Sequence, residues 1–160
     1  MSTNEPSGIH YRTANESDAQ AISKLILDSQ AKFTFHEYSD AGREFMLRLC
    51  SEAAINEYLQ RGDTYFVAEH DAVIIGVIGI RDAEHISHNF VDDAWHGRGI
   101  SSALWRLGQN ACRAAGNPGV FTLRASTYAI PIYEKWGFIK TAAAEDTGGI
   151  ISTPMRLDGR

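Results

Sequence analysis

A glycine-rich segment between a strand-like run and a helix-like run is the part of this chain best suited to chemistry. The segment covers residues 96–101, and it contains Gly97 and Gly99. Backbone N–H groups at the start of a helix have no partner inside the helix, and glycines let a ligand approach them closely. The segment is therefore a candidate cradle for a diphosphate. An ordinary tight turn from strand to helix would show the same pattern, and this alternative stays open from the loop alone.

The spacing of the segment excludes two familiar phosphate-binding motifs. No Gly-Lys-Ser or Gly-Lys-Thr follows the glycines, as a P-loop requires. The segment also does not match the dinucleotide fingerprint, which needs a third glycine and a βαβ unit with an acidic residue after its second strand. The loop must therefore be interpreted together with the rest of the chain.

A second motif lies further along the chain, after the strand-like residues 120–125. It covers residues 126–138 and ends in Tyr133, three intervening residues, Gly137 and Phe138. Together the two segments resemble the GCN5-related N-acetyltransferase (GNAT) superfamily. The acyl-CoA loop of that family reads Gln/Arg-x-x-Gly-x-Gly/Ala and matches residues 96–101, and its late signature places a tyrosine four residues before a Gly-Phe pair. Both motifs occur in the family's order and at its separation.

The resemblance implies that acetyl-CoA is the co-substrate and that the loop holds its pyrophosphate. The family's pantetheine arm pairs with the fourth strand, which assigns backbone contacts to Val91. His96 stands where the family has Gln or Arg, Ser101 where it has a second Gly or Ala, and Ser126 where many members have Asn. The implied acetyl-CoA contacts are Val91, His96, Gly97, Arg98, Gly99, Ile100, Ser101, Ser102 and Ser126. For Arg98, a solvated surface charge is the competing interpretation.

The resemblance also points to Tyr133 as the general acid of acetyl transfer. A phenol with an ordinary pKa of about 10 is protonated at neutral pH and can donate to a departing thiolate. A buried aromatic residue of the core is the alternative for a tyrosine in an amphipathic helix. The Gly-Phe pair that follows and the upstream loop favour the acid.

A general base is expected on the fourth strand, because some family members carry a carboxylate there. Strict alternation would place His85, Ser87, Asn89 and Val91 on one face, which is predicted to line the cleft. His85 is the candidate base, with Ser87 or Asn89 positioning a water molecule. A hydrogen-bonded structural histidine is the alternative, and Glu84 replaces His85 if the register differs by one residue.

Length and composition place further limits on the chain. Its 160 residues suit one domain, predicted to span residues 1–160 with a flexible N terminus over residues 1–8. The formal charge of −5 argues against nucleic-acid and membrane partners and modestly favours a cationic substrate. Cys50 and Cys112 are too far apart in sequence to suggest a metal motif, and the six histidines show no zinc-binding spacing, so no metal is predicted. No leader or membrane-spanning segment is evident, which predicts a cytoplasmic protein.

Hydrophobic periodicity predicts an α/β fold. The expected order is a strand, two helices, three strands, a helix, a strand, a short helix and a hairpin. The second helix is predicted over residues 41–60 with Asp40 as its N-cap, and the first helix begins at a capping box of Ser17 and Gln20. The resemblance implies a mixed, mostly antiparallel sheet of six to seven strands, flanked by about four helices, whose fourth and fifth strands splay apart.

These observations predict an N-acetyltransferase that transfers an acetyl group directly to a small-molecule amine within a ternary complex. A non-catalytic acyl-CoA sensor is the first alternative, and Tyr133 distinguishes the two because a binder has no need of an acid. An enzyme that acetylates protein N termini or lysines is the second. The aromatic residues within 32–38 favour a covered site and so a small acceptor. A homodimer is common in the family and stays an option.

Overall fold

The computed structural model describes residues 8–159. Residues 1–7 lie outside this part, and with them nearly all of the segment predicted to be a flexible N terminus. Within residues 8–159, no helix is both long enough and apolar enough to cross a bilayer. In the same range no three His, Cys, Asp or Glu side chains come together as a metal site.

Eight strands form the sheet, in the spatial order β1-β2-β3-β4-β5-β8-β6, with β7 also paired to β8. All neighbours are antiparallel except β4 and β5, which run parallel. The predicted class is confirmed, with one or two more strands than expected. The strands are β1 (Ile9–Thr13), β2 (Thr64–His70), β3 (Val73–Arg81), β4 (His85–Val91), β5 (Val120–Ala125), β6 (Ile139–Lys140), β7 (Glu145–Thr147) and β8 (Ile150–Asp158).

The additional strand arises in the C-terminal hairpin. Its first arm is not continuous, because β6 and β7 are separate short segments that both pair with β8. The hairpin turns at Gly148 and Gly149, whose φ angles of 62° and 92° suit glycine. The hairpin was predicted, and the interruption of its first arm was not.

Five α-helices flank the sheet where about four were predicted. They are α1 (Ala19–Phe33), α2 (Asp40–Leu49), α3 (Glu52–Gln60), α4 (Ile100–Ala114) and α5 (Ile130–Lys135). The additional helix arises because the single helix predicted over residues 41–60 is broken into α2 and α3. Ser51 has extended backbone and its hydroxyl accepts a hydrogen bond from the N–H of Ala54, so it starts a new helix.

Two helix starts differ from the predicted caps. Ser39, rather than Asp40, caps α2 by accepting from the N–H of Gly42. Ahead of α1, the capping box is formed by Asn15 and Asp18 around a short 3-10 turn. In both cases the cap lies one or two residues before the predicted position.

The sheet separates two hydrophobic cores. The face covered by α4 and α5, called the α4 face below, carries the larger core, and the face covered by α1 and α3 is called the α1 face. The fully buried residues of the α4 face include Ile78, Ile80, Ile100, Leu104, Phe121, Phe138 and Met155. Those of the α1 face include Ile22, Ile26, Ile55, Tyr65, Val67 and Val77.

The parallel pairing of β4 with β5 is short and opens a gap in the sheet. It consists of two residue pairs, His85 with Thr122 and Ile86 with Leu123. Beyond Ile86 the strands diverge, so this edge of residues 87–91 is without a strand partner. The predicted splay of the fourth and fifth strands is confirmed, and the site lies in this gap.

Candidate active site

A cavity of about 1000 Å³ lies at the gap between β4 and β5. All seven residues of β4 line it, and so do side chains from both faces of the sheet. Its volume is at the upper end of the range of small-molecule sites, which is about 300–1,000 Å³. The cavity therefore passes through the sheet and joins the α4 face to the α1 face.

A bulge in β4 decides which side chains point to each face. Gly79 of β3 pairs with His88 and the next residue, Ile80, pairs with Ile86, so Ser87 is an extra residue. Ile86 packs in the core of the α4 face, whereas His88 contacts Tyr65 on the α1 face. A bulge reverses the alternation of side chains on either side of it.

The predicted sharing of one face by His85, Asn89 and Val91 is consequently wrong. Asn89 is bonded to Ser101 of α4, and Val91 packs against the core of the α4 face. His85 points to the opposite face, where its Nδ1 lies 2.9 Å from Oγ1 of Thr122. The extra residue at the bulge separates the three, although all of them line the cavity.

The surroundings of His85 suit a neutral imidazole. Burial is the main cause that lowers its pKa below the ordinary value of 6.5, and the positive charges of Arg81 and Arg124 lower it further. In the tautomer whose Nδ1–H donates to Thr122, the Nε2 lone pair stays available to accept a proton. Glu84, the alternative base, is exposed and does not line the cavity.

Tyr133 lies at the gap on α5 and is linked to the glycine-rich loop by a chain of hydrogen bonds. The Nδ2 of Asn89 donates to the Tyr133 hydroxyl at 3.3 Å, and Ser101 donates to the Oδ1 of Asn89 at 3.0 Å. Burial raises the pKa of Tyr133 to about 12, against a smaller opposite effect of the Asn89 bond. The phenol is therefore fully protonated at neutral pH.

The loop itself has the geometry of an anion cradle. Gly97 and Gly99 have φ angles of 77° and 76°, which favour glycine. A Cβ at either position would have no heavy atom within 4 Å, so the backbone is open to a ligand. No side chain caps α4 at Gly99, and its helix dipole and first N–H groups face the cavity. These residues fit the pyrophosphate of acetyl-CoA.

His96 and Arg98 are engaged within the protein. Nε2 of His96 donates to the backbone oxygen of Val91 at 2.8 Å. The guanidinium of Arg98 lies 4.7 Å from the ring centroid of Trp95, and Arg98 does not line the cavity. His96 therefore occupies the Val91 carbonyl, one of the backbone groups assigned to the pantetheine arm.

The remaining predicted contacts lie on both sides of the gap, where β4 and β5 have diverged. Ser102 is exposed in the first turn of α4, and Ser126 follows β5 directly. Both line the cavity, as do Ile100 and Ser101. The structure thus brings every predicted site residue to the cavity wall except Arg98.

A buried polar cluster on the α1 face was not predicted. His88 is 8 % exposed, and its Nδ1 lies 2.8 Å from the hydroxyl of Tyr65. Its Nε2 lies 3.6 Å from Sγ of Cys50. Burial lowers the pKa of His88 to about 4 and raises that of Cys50 to about 12, so both groups are neutral. No sequence signal marked this cluster, because it depends on strand pairing: Tyr65 of β2 lies opposite Gly79 of β3, where a Cβ would lie 2.3 Å from the Tyr65 ring.

Comparison with known proteins agrees with this geometry. A family model described as an acetyltransferase (GNAT) domain matches residues 14–158. The chain belongs to the GNAT acetyltransferase family. No curated protein gives a significant match to the sequence.

Solved structures share the fold at low sequence identity. A GCN5-related N-acetyltransferase from Rhodopseudomonas palustris is 21% identical with a TM-score of 0.79, over 94% of this chain and 96% of that one. PaiA N-acetyltransferase from Thermoplasma acidophilum, in complex with coenzyme A, is 17% identical with a TM-score of 0.76, over 94% and 98%. YncA from Salmonella typhimurium, with its cofactor acetyl-CoA, is 20% identical with a TM-score of 0.70, over 94% of each chain.

Proposed function

We propose that this protein is an acetyl-CoA-dependent N-acetyltransferase that acts directly on the primary amine of a small molecule. The observation that carries the proposal is the chain of hydrogen bonds from Ser101 through Asn89 to the Tyr133 hydroxyl. It joins a proton donor in the gap to the anion-binding end of the cavity. The coenzyme A and acetyl-CoA complexes of the PaiA and YncA neighbours support the choice of co-substrate.

Tyr133 serves as the acid. When the amine nitrogen bonds to the thioester carbon and the carbon–sulfur bond breaks, the departing thiolate takes the phenolic proton. With a pKa of about 12, the phenol is protonated at neutral pH and can donate when the thiolate departs beside it. A protein that only binds acyl-CoA has no use for such a group.

His85 serves as the base on the other face of the sheet. The attacking amine must lose a proton, and a neutral imidazole can accept it through Nε2 while Nδ1 is held by Thr122. Acid and base then lie on opposite sides of the gap through which the acetyl group passes. Water held at Ser87 or Asn89 is the alternative acceptor of the proton.

A small acceptor is favoured by an aromatic bridge over the cavity. Phe33 of α1 stacks on Tyr128, which follows β5, with ring centroids 4.6 Å apart. Both residues line the cavity. This contact narrows the opening that a lysine presented on a folded protein would need.

The proposal is tested by incubating the protein with acetyl-CoA and a panel of small amines and detecting the released thiol. At least one amine is expected to give thiol and its N-acetyl product, with intersecting initial-velocity lines because both substrates bind before reaction. If calorimetry shows acetyl-CoA binding but no amine or peptide gives thiol, the protein is a sensor. Acetylation of peptides alone would make it a protein acetyltransferase.

A further inference from the structure

The wall of the cavity has a charge opposite to that of the whole chain. Among the described residues that line it, four are cationic and none is acidic. The cationic residues are Arg61, Arg81, Arg124 and Lys135. The complete chain instead has 20 acidic and 15 basic residues. The cavity therefore selects ligands by a charge that the composition does not reveal.

Two of these cations flank His85. Arg81 is the cross-strand partner of His85 on β3, so both side chains lie on the same face. Thr122 is the partner of His85 on β5, and Arg124 lies two residues further along the same face. The candidate base thus has a guanidinium on each side.

The carboxylates near these two arginines leave them available to a ligand. Nε of Arg81 lies 3.7 Å from Asp82, and Arg124 lies 3.0 Å from Glu145. The four side chains of these two ion pairs are between 42% and 85% exposed. Ion pairs as exposed as these are weak and exchange readily with another anion. By contrast, Arg61 is held by two hydrogen bonds to Asp63 and is not assigned to the ligand.

A buried acceptor atom in the wall of the same cavity suits the amine itself. Gln30 of α1 is 6% exposed and lines the cavity. Its Oε1 is fully buried and has no hydrogen-bond partner within residues 8–159. A buried acceptor without a partner is unfavourable, and an ammonium or amine N–H of a ligand would satisfy it once a rotation of the Gln30 side chain brings Oε1 to the cavity surface.

Large aromatic and aliphatic side chains line much of the rest of this end of the cavity, beside the polar Thr34, Ser87 and His88. The large side chains come from α2, α3, β4 and the α1–α2 connection. They are Tyr38, Met46, Leu49, Tyr58 and Phe90. A ligand with a hydrophobic body would bury it there.

We infer that the acceptor is an amine that also carries an anionic group, a carboxylate or a phosphate, on a hydrophobic body. This inference rests on the proposed N-acetyltransferase function. Arg81 and Arg124 bind the anion by charge-assisted hydrogen bonds, Gln30 accepts from the amine, and His85 takes its proton. An amino acid with an apolar side chain has all of these features.

A matched set of four amines tests the inference. Phenylalanine, its amide, 2-phenylethylamine and the aminophosphonate analogue of phenylalanine share the ring and differ in the anionic group. The two anionic amines are expected to exceed both neutral ones in kcat/KM by about tenfold or more. Comparison of carboxylate with phosphonate identifies which anion is preferred.

Substitution of the arginines locates the effect. In Arg81→Gln and Arg124→Gln, the ratio of kcat/KM for phenylalanine to that for 2-phenylethylamine is expected to fall by about tenfold. Arg106 is exposed on α4 and does not line the cavity, so Arg106→Gln is the matched control and keeps the ratio. The ratio removes effects on acetyl-CoA and on folding.

The two proposals fail differently. Equal or better turnover of the neutral amines, or an unchanged ratio in both arginine variants, overturns the inference and leaves acetyl transfer standing. Thiol release with cationic amines only, such as diamines, also overturns it. Absence of thiol release with every amine overturns the proposed function itself.

Discussion

The Tyr133 phenol is buried, has a raised pKa and accepts a hydrogen bond from Asn89. Removal of its hydroxyl alone therefore separates the chemistry of this side chain from its packing. Tyr133→Phe keeps the edge contacts of the ring with Trp136 and Phe138, at centroid distances of 5.4 and 5.9 Å. General acid catalysis is worth about 10²–10⁴-fold, so steady-state kinetics should show a fall in kcat of that size. The melting temperature and the acetyl-CoA affinity should stay close to wild type.

Tyr128→Phe is the control for this substitution. Tyr128 also lines the cavity and is 47% exposed; its ring, which phenylalanine keeps, stacks on Phe33, and its hydroxyl is not assigned to the chemistry. Its loss of a hydroxyl should leave kcat within about twofold of wild type, because surface changes of this kind have small effects. Full turnover in Tyr133→Phe would show that the thiolate leaves without its proton.

The lowered pKa of His85 gives a directional prediction for pH dependence. Burial and two guanidiniums disfavour the imidazolium, so the base form persists below the ordinary pKa of about 6.5. The acidic limb of kcat/KM should therefore lie below that value, with activity lost as pH falls through it. Arg124→Gln removes one positive charge and should move the limb to higher pH, whereas Arg106→Gln should not.

His85→Gln completes the test of the base. Glutamine preserves a hydrogen bond to Thr122 but cannot accept a proton in this range. The acidic limb should disappear and turnover should fall, with acetyl-CoA affinity nearly intact in calorimetry. A limb that survives unchanged in this variant would show that His85 is not the base.

Among the elements, the loop ahead of α4 has the glycine-rich backbone and the helix start that the sequence predicted. Gly99→Val introduces a β-branched residue at a φ of 76° and places side-chain atoms in the open approach to the backbone. Acetyl-CoA binding measured by calorimetry should weaken by more than about tenfold, or 1.4 kcal/mol. Gly116→Val carries similar strain, at φ 107° and in open space at the far end of α4, and should bind normally. Unchanged affinity in folded Gly99→Val would refute the assignment of the loop.

The register of β4 was beyond reach of the sequence because a bulge depends on two strands at once. Nothing about Ser87 itself marks it as an extra residue, and its position is apparent only from the pairing of Gly79 with His88 and of Ile80 with Ile86. The face assigned to His85 was wrong for that reason. The break between α2 and α3 at Ser51 was also not predicted. A serine can lie within a helix or cap one, and which of the two occurs depends on the backbone conformation around it.

At the scale of the whole molecule, the net charge and the charged groups of the cavity wall have opposite signs. The formal charge of −5 favours a cationic ligand, whereas the wall, within residues 8–159, carries four cations and no carboxylate. Charges separated by more than about 10 Å are largely screened at 0.1 M salt, so the charged groups nearest to a ligand determine the electrostatic contribution to its binding. Positions 81, 85 and 124 are brought together by strand pairing across β3, β4 and β5, which composition cannot express.

The division of the cavity by β4 has a consequence for how such a protein can diverge. Under the proposed function, side chains on the α4 face and the glycine-rich loop would bind the acyl donor, whereas Arg81, Arg124 and the residues of α2 and α3 would bind the acceptor. Because a strand separates the two groups, replacements in one leave the contacts of the other in place. Under that assignment, substitutions on the α1 face can change the preferred acceptor while the contacts with the acyl donor stay the same.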